Sequence, residues 1–133
     1  IIDKFRGDHS DKPVIRQVVG DVRGKSCLLV DDEIASGRTL VNAAHKLIEF
    51  GARRVLATAV HPVLSGDAVR RLVDSPIEKF IIGNTLPVDD KIAEHPSRFH
   101  VIDLAPLFAK AIQCIHNGDS MSALFPPSVR RSV

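Results

Sequence analysis

The chain has 133 residues, 44% of them hydrophobic and 26% charged, with 18 basic against 16 acidic side chains for a formal net charge of +2. That is enough for one domain with a proper core, too little for two comfortable ones, and the composition of an ordinary soluble globular protein. There is no basic run interleaved with aromatics and neither Trp nor Tyr, which argues against nucleic acid as a partner; no apolar run nears the roughly 20 residues of a membrane span and no signal peptide is visible, which argues against a membrane partner and for a cytoplasmic location.

In chain order, Ile1 and Ile2 read as the end of a strand, and Asp3 to Val14, polar and broken by Gly7 and Pro13, reads as a mobile surface loop. Opening on IIDKFR with no initiating Met, the chain is expected to be the C-terminal portion of something longer. Ile15 to Val22 suits a short strand or hairpin arm before the turn Arg23-Gly24-Lys25. The segment SCLLVDDEIASGRTLVNAAHKLIEF then gives a short apolar strand (Cys27 to Val30), two adjacent acids at its exit (Asp31, Asp32), a small-residue turn (Ala35, Ser36, Gly37) and an amphipathic helix from about Thr39. Leu40, Ala43, Ala44, Leu47 and Ile48 fall on one helix face, and Gly51 stops it.

Val55 to Val60 is a continuous apolar run that suits a strand buried on both faces, followed by the loop HPVLSG and a short helix from Asp67 to Val73. Lys79 to Gly83 makes a further strand ending at Asn84-Thr85, and Val101 to Leu104 another. Pro106 opens a helix running from Leu107 to Asn117, Ser120 to Phe125 makes a helical turn, and residues 126–133, PPSVRRSV, read as a disordered tail. Cys27 and Cys114 sit in apolar contexts, as buried free thiols of a reducing compartment do. Strands alternating with helices predict an α/β fold, a mainly parallel sheet with helices on both faces (three-layer α/β/α), whose ligands gather at the strand exits. Asp31-Asp32, His61 and Asn84-Thr85 all fall there and are expected around one crevice.

The central segment is the unit in which such folds hold an anion: a helix N-terminus has N–H groups without intrahelical partners, and its dipole favours negative charge. The N–H groups of Ser36, Gly37, Arg38 and Thr39 and the hydroxyls of Ser36 and Thr39 would face a phosphate, with the two carboxylates beside it for hydroxyls or a hydrated metal ion. Alternatively Asp31 and Asp32 only cap a turn, although two adjacent acids repel unless something uses them. His61 reads as a loop histidine bonded to backbone; Asn84-Thr85 either border the site or end a strand; His45, His95, His100 and His116 lack metal-ligand spacing. Paired acids after a strand also resemble a response-regulator receiver with Asp74 as acceptor, but RRLVDSP reads as a helix end, Lys110 lies inside a helix, and a receiver has no use for a Ser-Gly-x-Thr loop.

VDDEIASGRTL resembles the phosphoribosyl-diphosphate motif shared by type I phosphoribosyltransferases and ribose-phosphate diphosphokinases (PRPP synthetases). IIDK, VVGDVRGKSCLLVDD, GARRV, HPVLSGDAV, DSPIEKFIIGNTLP and AIQCIHNGDSMSALF each resemble, in order, the C-terminal half of the diphosphokinases, so the likeness covers residues 1–125. It implies a phosphoribosyltransferase-like domain over 1–125, with 1–14 as its mobile catalytic loop region and the N-terminal half of the parent absent. The implied reaction moves diphosphate from ATP to the anomeric hydroxyl of ribose 5-phosphate, giving PRPP and AMP with Mg²⁺, in a homo-oligomer that is often a hexamer. By position, Lys4 and Arg6 match the catalytic cations of the mobile loop, Arg6 also facing the sugar phosphate. Ala35, Ser36, Gly37, Arg38 and Thr39 would form the 5-phosphate loop, and Asp31 and Asp32 would hold the ribose hydroxyls, with a metal reached only through water.

The chain departs from the pattern at Ala35, commonly Asp, at Arg38, often Gly, and at Phe5, usually Arg. Arg38 either adds a charge-assisted contact to the phosphate or strains a loop that prefers Gly. These departures raise a paralogue with altered substrate or regulation, or a non-catalytic regulatory homologue of PRPP synthetase, as an alternative; a nucleobase phosphoribosyltransferase is a further alternative, which Ala35 disfavours by removing the acid often used there.

Overall fold

The structure is a computed structural model that describes residues 2–5, 14–18 and 20–125. The chain divides into two units, residues 1–102 and 103–133. In the first, β1 (Ile2–Phe5) and β2 (Val14–Val18) pair antiparallel. The hairpin arm expected after Val14 is thus present, and Asp3 to Phe5, expected in a mobile loop, lie in β1; residues 6–13 fall outside the described residues.

The rest of this unit alternates strand and helix: β3 (Ser26–Glu33), α1 (Arg38–Glu49), β4 (Arg54–His61), α2 (Ala68–Val73), β5 (Ile77–Gly83), α3 (Asp89–Ile92) and β6 (Phe99–Ile102). The four strands form one parallel sheet in the order β3-β4-β5-β6, which is the expected α/β class. Each strand is added on the same side of the last, and right-handed crossovers then carry successive helices onto the same face. Burial follows: Leu29, Val55, Ala57, Ala59, Ile77, Phe80, Ile82 and Phe99 are buried with Leu40, Ala43, Ala44 and Leu47 of α1 and Ala68 and Leu72 of α2. Alanines on both α1 and β4 let the helix lie close to the sheet. Ile48, read as part of the buried helix face, is exposed.

On the opposite face Leu28, Val30, Val60 and Ile102 are 53, 74, 46 and 44% exposed. The apolar run of β4 therefore alternates between buried and half-exposed positions, where burial on both faces was expected from its composition. Three boundaries also move. β3 runs through Asp31 and Asp32 to Glu33, because its ladder with β4 continues to Glu33 opposite His61. β6 starts at Phe99, whose ring stacks on Phe80 at 5.0 Å, and Leu104 becomes the cap of the next helix. Helix α3 had no counterpart in the sequence reading.

In the second unit α4 (Ala105–Asn117) has proline in its first turn as expected, ends at Gly118, and is followed by a 3₁₀ turn over Met121–Leu124. Phe108, Ile112 and Ile115 of α4 are exposed. Cys27 and Cys114 are free and partly buried. Among the described residues no helix is long and apolar enough to cross a membrane; the tail from Pro126 lies outside them.

The Phe80–Phe99 stack ties the distal strands together beneath the core. Phe80→Ala is expected to destabilise the parent protein by about 3–5 kcal/mol, the cost of a large buried aromatic and its cavity; a denaturant midpoint unchanged within error would rule that role out.

Candidate functional site

β3, the loop 34–37 and the start of α1 bring Asp31, Asp32, Ala35, Ser36, Gly37, Arg38 and Thr39 into one continuous segment at the strand exits. Asp31 is half-buried and Asp32 exposed. Each aspartate holds the next residue's amide: Asp32 N–H donates to Asp31 Oδ1 at 3.1 Å and Glu33 N–H to Asp32 Oδ1 at 2.9 Å. The bond from Glu33 N–H is the main reason that the Asp32 carboxyl titrates below the ordinary aspartate range; a hydrogen bond with Asp31 and the nearby His61 act in the same direction.

Gly37 precedes α1 with φ 73° and ψ −6°, offers no side-chain cap, and its carbonyl receives the Val41 N–H at 3.0 Å. A Cβ there would lie 3.0 Å from Leu72 Cδ2 and 3.2 Å from Leu72 Cγ, and Leu72 is fully buried. Glycine is needed on both counts, the left-handed backbone and the close approach. Arg38, by contrast, sits in the first turn of a regular helix, and Leu64 is the only non-glycine residue with positive φ among those described. Its bulk therefore strains nothing. It is exposed at the mouth of the loop.

The backing of the loop was not legible in the sequence. Ile34 N–H donates to His61 O at 2.9 Å; Leu64 N–H donates to Ile34 O at 2.9 Å and Ser65 N–H to Ala35 O at 3.0 Å, while the Arg71 guanidinium donates to Ser36 O. Three successive carbonyls thus turn onto the segment 64–71. In trans peptides the N–H lies opposite the C=O, so the amides of Ala35, Ser36 and Gly37 point away from that segment. Successive amides on one side form an anion-binding concavity, here continued by the first turn of a 12-residue helix. The backing is itself pinned. Leu64 is held at φ 48° although bulky and buried, with Lys91 Nζ donating to Val63 O at 2.8 Å and Leu64 O at 3.3 Å.

His61 departs from its expected backbone bond. Its Nδ1 lies 2.9 Å from Thr85 Oγ1, whose own hydroxyl donates to Val60 O at 3.1 Å. The one hydroxyl proton of Thr85 is committed there, so Nδ1 of His61 is the donor in this pair. This link joins the exits of β4 and β5. Asp74, the rival acceptor of a receiver, caps the C-terminus of α2 and is exposed, which removes that reading. Lys4 lies in β1, but its side chain, like all of Arg6 and residues 7–13, falls outside the described residues.

The arrangement is that of a parallel α/β domain with an amide-lined loop at a helix start and paired carboxylates beside it. The model of the phosphoribosyl synthetase-associated domain matches residues 7–126, and the chain belongs to that family. The ribose-phosphate pyrophosphokinase of Aquifex aeolicus is 45% identical over 120 residues, covering 90% of this chain and 38% of that protein. Its namesake in Caldanaerobacter subterraneus is 43% identical over 125 residues, 94% of this chain and 39% of that one. The crystal structure of phosphoribosylpyrophosphate synthetase from Mycobacterium smegmatis matches with a TM-score of 0.69 and 38% identity over 75% of this chain and 33% of its own. The chain thus spans under two fifths of the length of these relatives.

Two measurements check the geometry. Gly37→Ala is expected to cost roughly 1–2 kcal/mol for the left-handed backbone alone, and more for the contact with Leu72; it should lower the denaturant midpoint and weaken anion binding together, and a variant equal to the parent in both would show that the loop tolerates a side chain. Because the folded-state pKa of Asp32 is depressed, its stabilising contribution is present above the unfolded value and lost as pH falls through the folded one. A carboxyl-carbon NMR titration should place the Asp32 midpoint below that of an unstructured aspartate; one at or above it contradicts the Glu33 amide bond.

Proposed function

We propose that this chain is the C-terminal domain of a ribose-phosphate diphosphokinase, transferring diphosphate from ATP to the anomeric hydroxyl of ribose 5-phosphate to give PRPP and AMP. The observation that carries the reading is the loop 34–39, whose carbonyls are turned away and whose amides are turned outward, directly after a strand ending in two carboxylates, in a chain of this family. In this reading Ser36, Gly37, Arg38 and Thr39 cradle the 5-phosphate, with Ala35 contributing its amide. Asp31 and Asp32 each have an oxygen left over from the backbone bond to take a ribose hydroxyl. Lys4 and Arg6 are the cations that neutralise the oxygens gaining charge during transfer, since phosphoryl-type reactions are catalysed chiefly by positioning and by such charges.

Among the described residues no group of three or more His, Cys, Asp or Glu could hold a metal. In this reading the ion is Mg²⁺, which keeps several waters and takes one or two carboxylates together with ligand phosphates, rather than an all-protein cage. Asp31 and Asp32 are the residues that would meet it, through water, and its chemistry would be to neutralise phosphate charge. The remaining ATP contacts belong, in this proposal, to the absent part of the parent, working as a cytoplasmic homo-oligomer.

A second reading, a non-catalytic regulatory homologue, draws on Ala35 and Phe5, where the resemblance leads one to expect an acid and an arginine. The same Ala35 weakens the case for a nucleobase phosphoribosyltransferase. AMP formation from ATP, Mg²⁺ and ribose 5-phosphate by the full parent protein decides between the first two. Lys4→Ala should reduce the rate by about 100-fold or more, and the 133-residue piece alone should bind ribose 5-phosphate or sulfate without turnover. A parent that binds ribose 5-phosphate but makes no AMP is the regulatory homologue; steady synthesis by the piece alone would refute the division of labour.

A further inference from the structure

Arg71 has no place in the readings so far. It lies on α2, next to Leu72, and these two neighbours serve the loop in different ways: Leu72 packs beneath the Cα of Gly37, and the Arg71 guanidinium takes the Ser36 carbonyl. The peptide between Ser36 and Gly37 is thus held at its oxygen by a cation and at its following Cα by a buried wall. Ile34 and Ala35 have their carbonyls fixed by backbone donors, and Ser36 alone depends on a side chain. The backbone of α2 is anchored at its C-terminal end, where Arg98 Nη2 donates to Ile77 O at 2.6 Å and reaches Leu72 O and Ser75 O at 3.4 Å. Arg71 therefore reaches the loop from a fixed platform.

We propose that Arg71 is the positioning residue of the anion loop, setting its affinity for the phosphate of the sugar without touching it. Holding the Ser36 oxygen against α2 keeps the Gly37 N–H turned away from that helix, alongside the amides of Ala35 and Ser36. A charged donor on the carbonyl polarises the peptide and makes its N–H a stronger donor to the ligand. Without Arg71 the Ser36–Gly37 peptide is free to rotate, since glycine opposes such a flip less than any other residue. A rotated peptide would present a carbonyl oxygen to the phosphate where a donor is needed. The identity of the anion as a sugar phosphate rests on the reading in the previous section; the role of Arg71 in holding the loop does not.

The test uses the full parent protein with Arg71→Met, Arg71→Gln and, as control, Arg70→Gln, whose side chain faces solvent beside Asp74. Inorganic phosphate binding is measured by calorimetry with ribose 5-phosphate as competitor, and PRPP synthesis in parallel. Arg71→Met should weaken phosphate and ribose 5-phosphate alike by about tenfold and Arg71→Gln, which keeps an N–H donor on a shorter, uncharged side chain, by about threefold or more. Arg70→Gln should change neither. In turnover the KM for ribose 5-phosphate should rise by the same factors while kcat and the KM for ATP stay within about twofold, a split that general loosening of the fold would not produce. Should Arg71→Met fail to fold, the glutamine variant carries the comparison. Unchanged phosphate affinity in the variants, an unmodified protein that binds no phosphate, or equal losses for ATP and ribose 5-phosphate would each overturn the role. Arg71-dependent phosphate binding in a parent that makes no AMP would uphold it while discarding the synthetase reading.

Discussion

The site depends on the direction of three carbonyls. A phosphate is repelled by peptide oxygens as strongly as it is attracted by peptide N–H groups, so a loop becomes an anion site only when its oxygens are disposed of elsewhere. Here Ile34, Ala35 and Ser36 give theirs to Leu64, Ser65 and Arg71. Everything near the loop serves that arrangement: the left-handed Leu64 that aims its amide at Ile34, the Lys91 ammonium on the neighbouring carbonyls, and the Leu72 side chain that fills the space a Cβ on Gly37 would need.

The sheet topology explains why these parts meet. Strands added one after another in a single direction carry α1 and α2 onto one face, so that the loop before α1 and the helix after β4 are neighbours in space as well as in chain order. The same geometry lines up the exits of β3, β4 and β5, where His61 and Thr85 are linked and the acids of β3 end. A loop of amides beside paired carboxylates is electrostatically awkward as a candidate anion site. The awkwardness is eased because each aspartate spends one oxygen on a backbone amide, and because Ala35 adds no further negative charge.

Much of this was readable before folding, and the exceptions share a cause. The order strand, acids, small residues, helix was legible in SCLLVDDEIASGRTL because each step rests on neighbours in the chain: apolar residues for a ladder, glycine for a left-handed turn, an amphipathic period for a helix. The boundaries that shifted were those fixed from outside the segment. β3 continued through its acids because β4 offered partners as far as His61, and β6 began at Phe99 because Phe80 waits there. β4 read as doubly buried, since composition reports apolarity but not which face a helix will cover. Arg71 and Lys91 carry no local mark of their roles, as nothing in the neighbouring residues distinguishes a charge that points to water from one that points to a carbonyl.

By itself, then, the sequence determined the α/β class, the family and the order strand, acids, turn and helix from Asp31 to Thr39 that makes this segment the candidate site, because these follow from short-range pattern. Only the tertiary structure decided which way the peptides of that segment face. Peptide orientation in a glycine-containing loop is nearly free in energy until distant donors choose it, and those donors come from residues 64, 65 and 71, about 30 positions further along the chain.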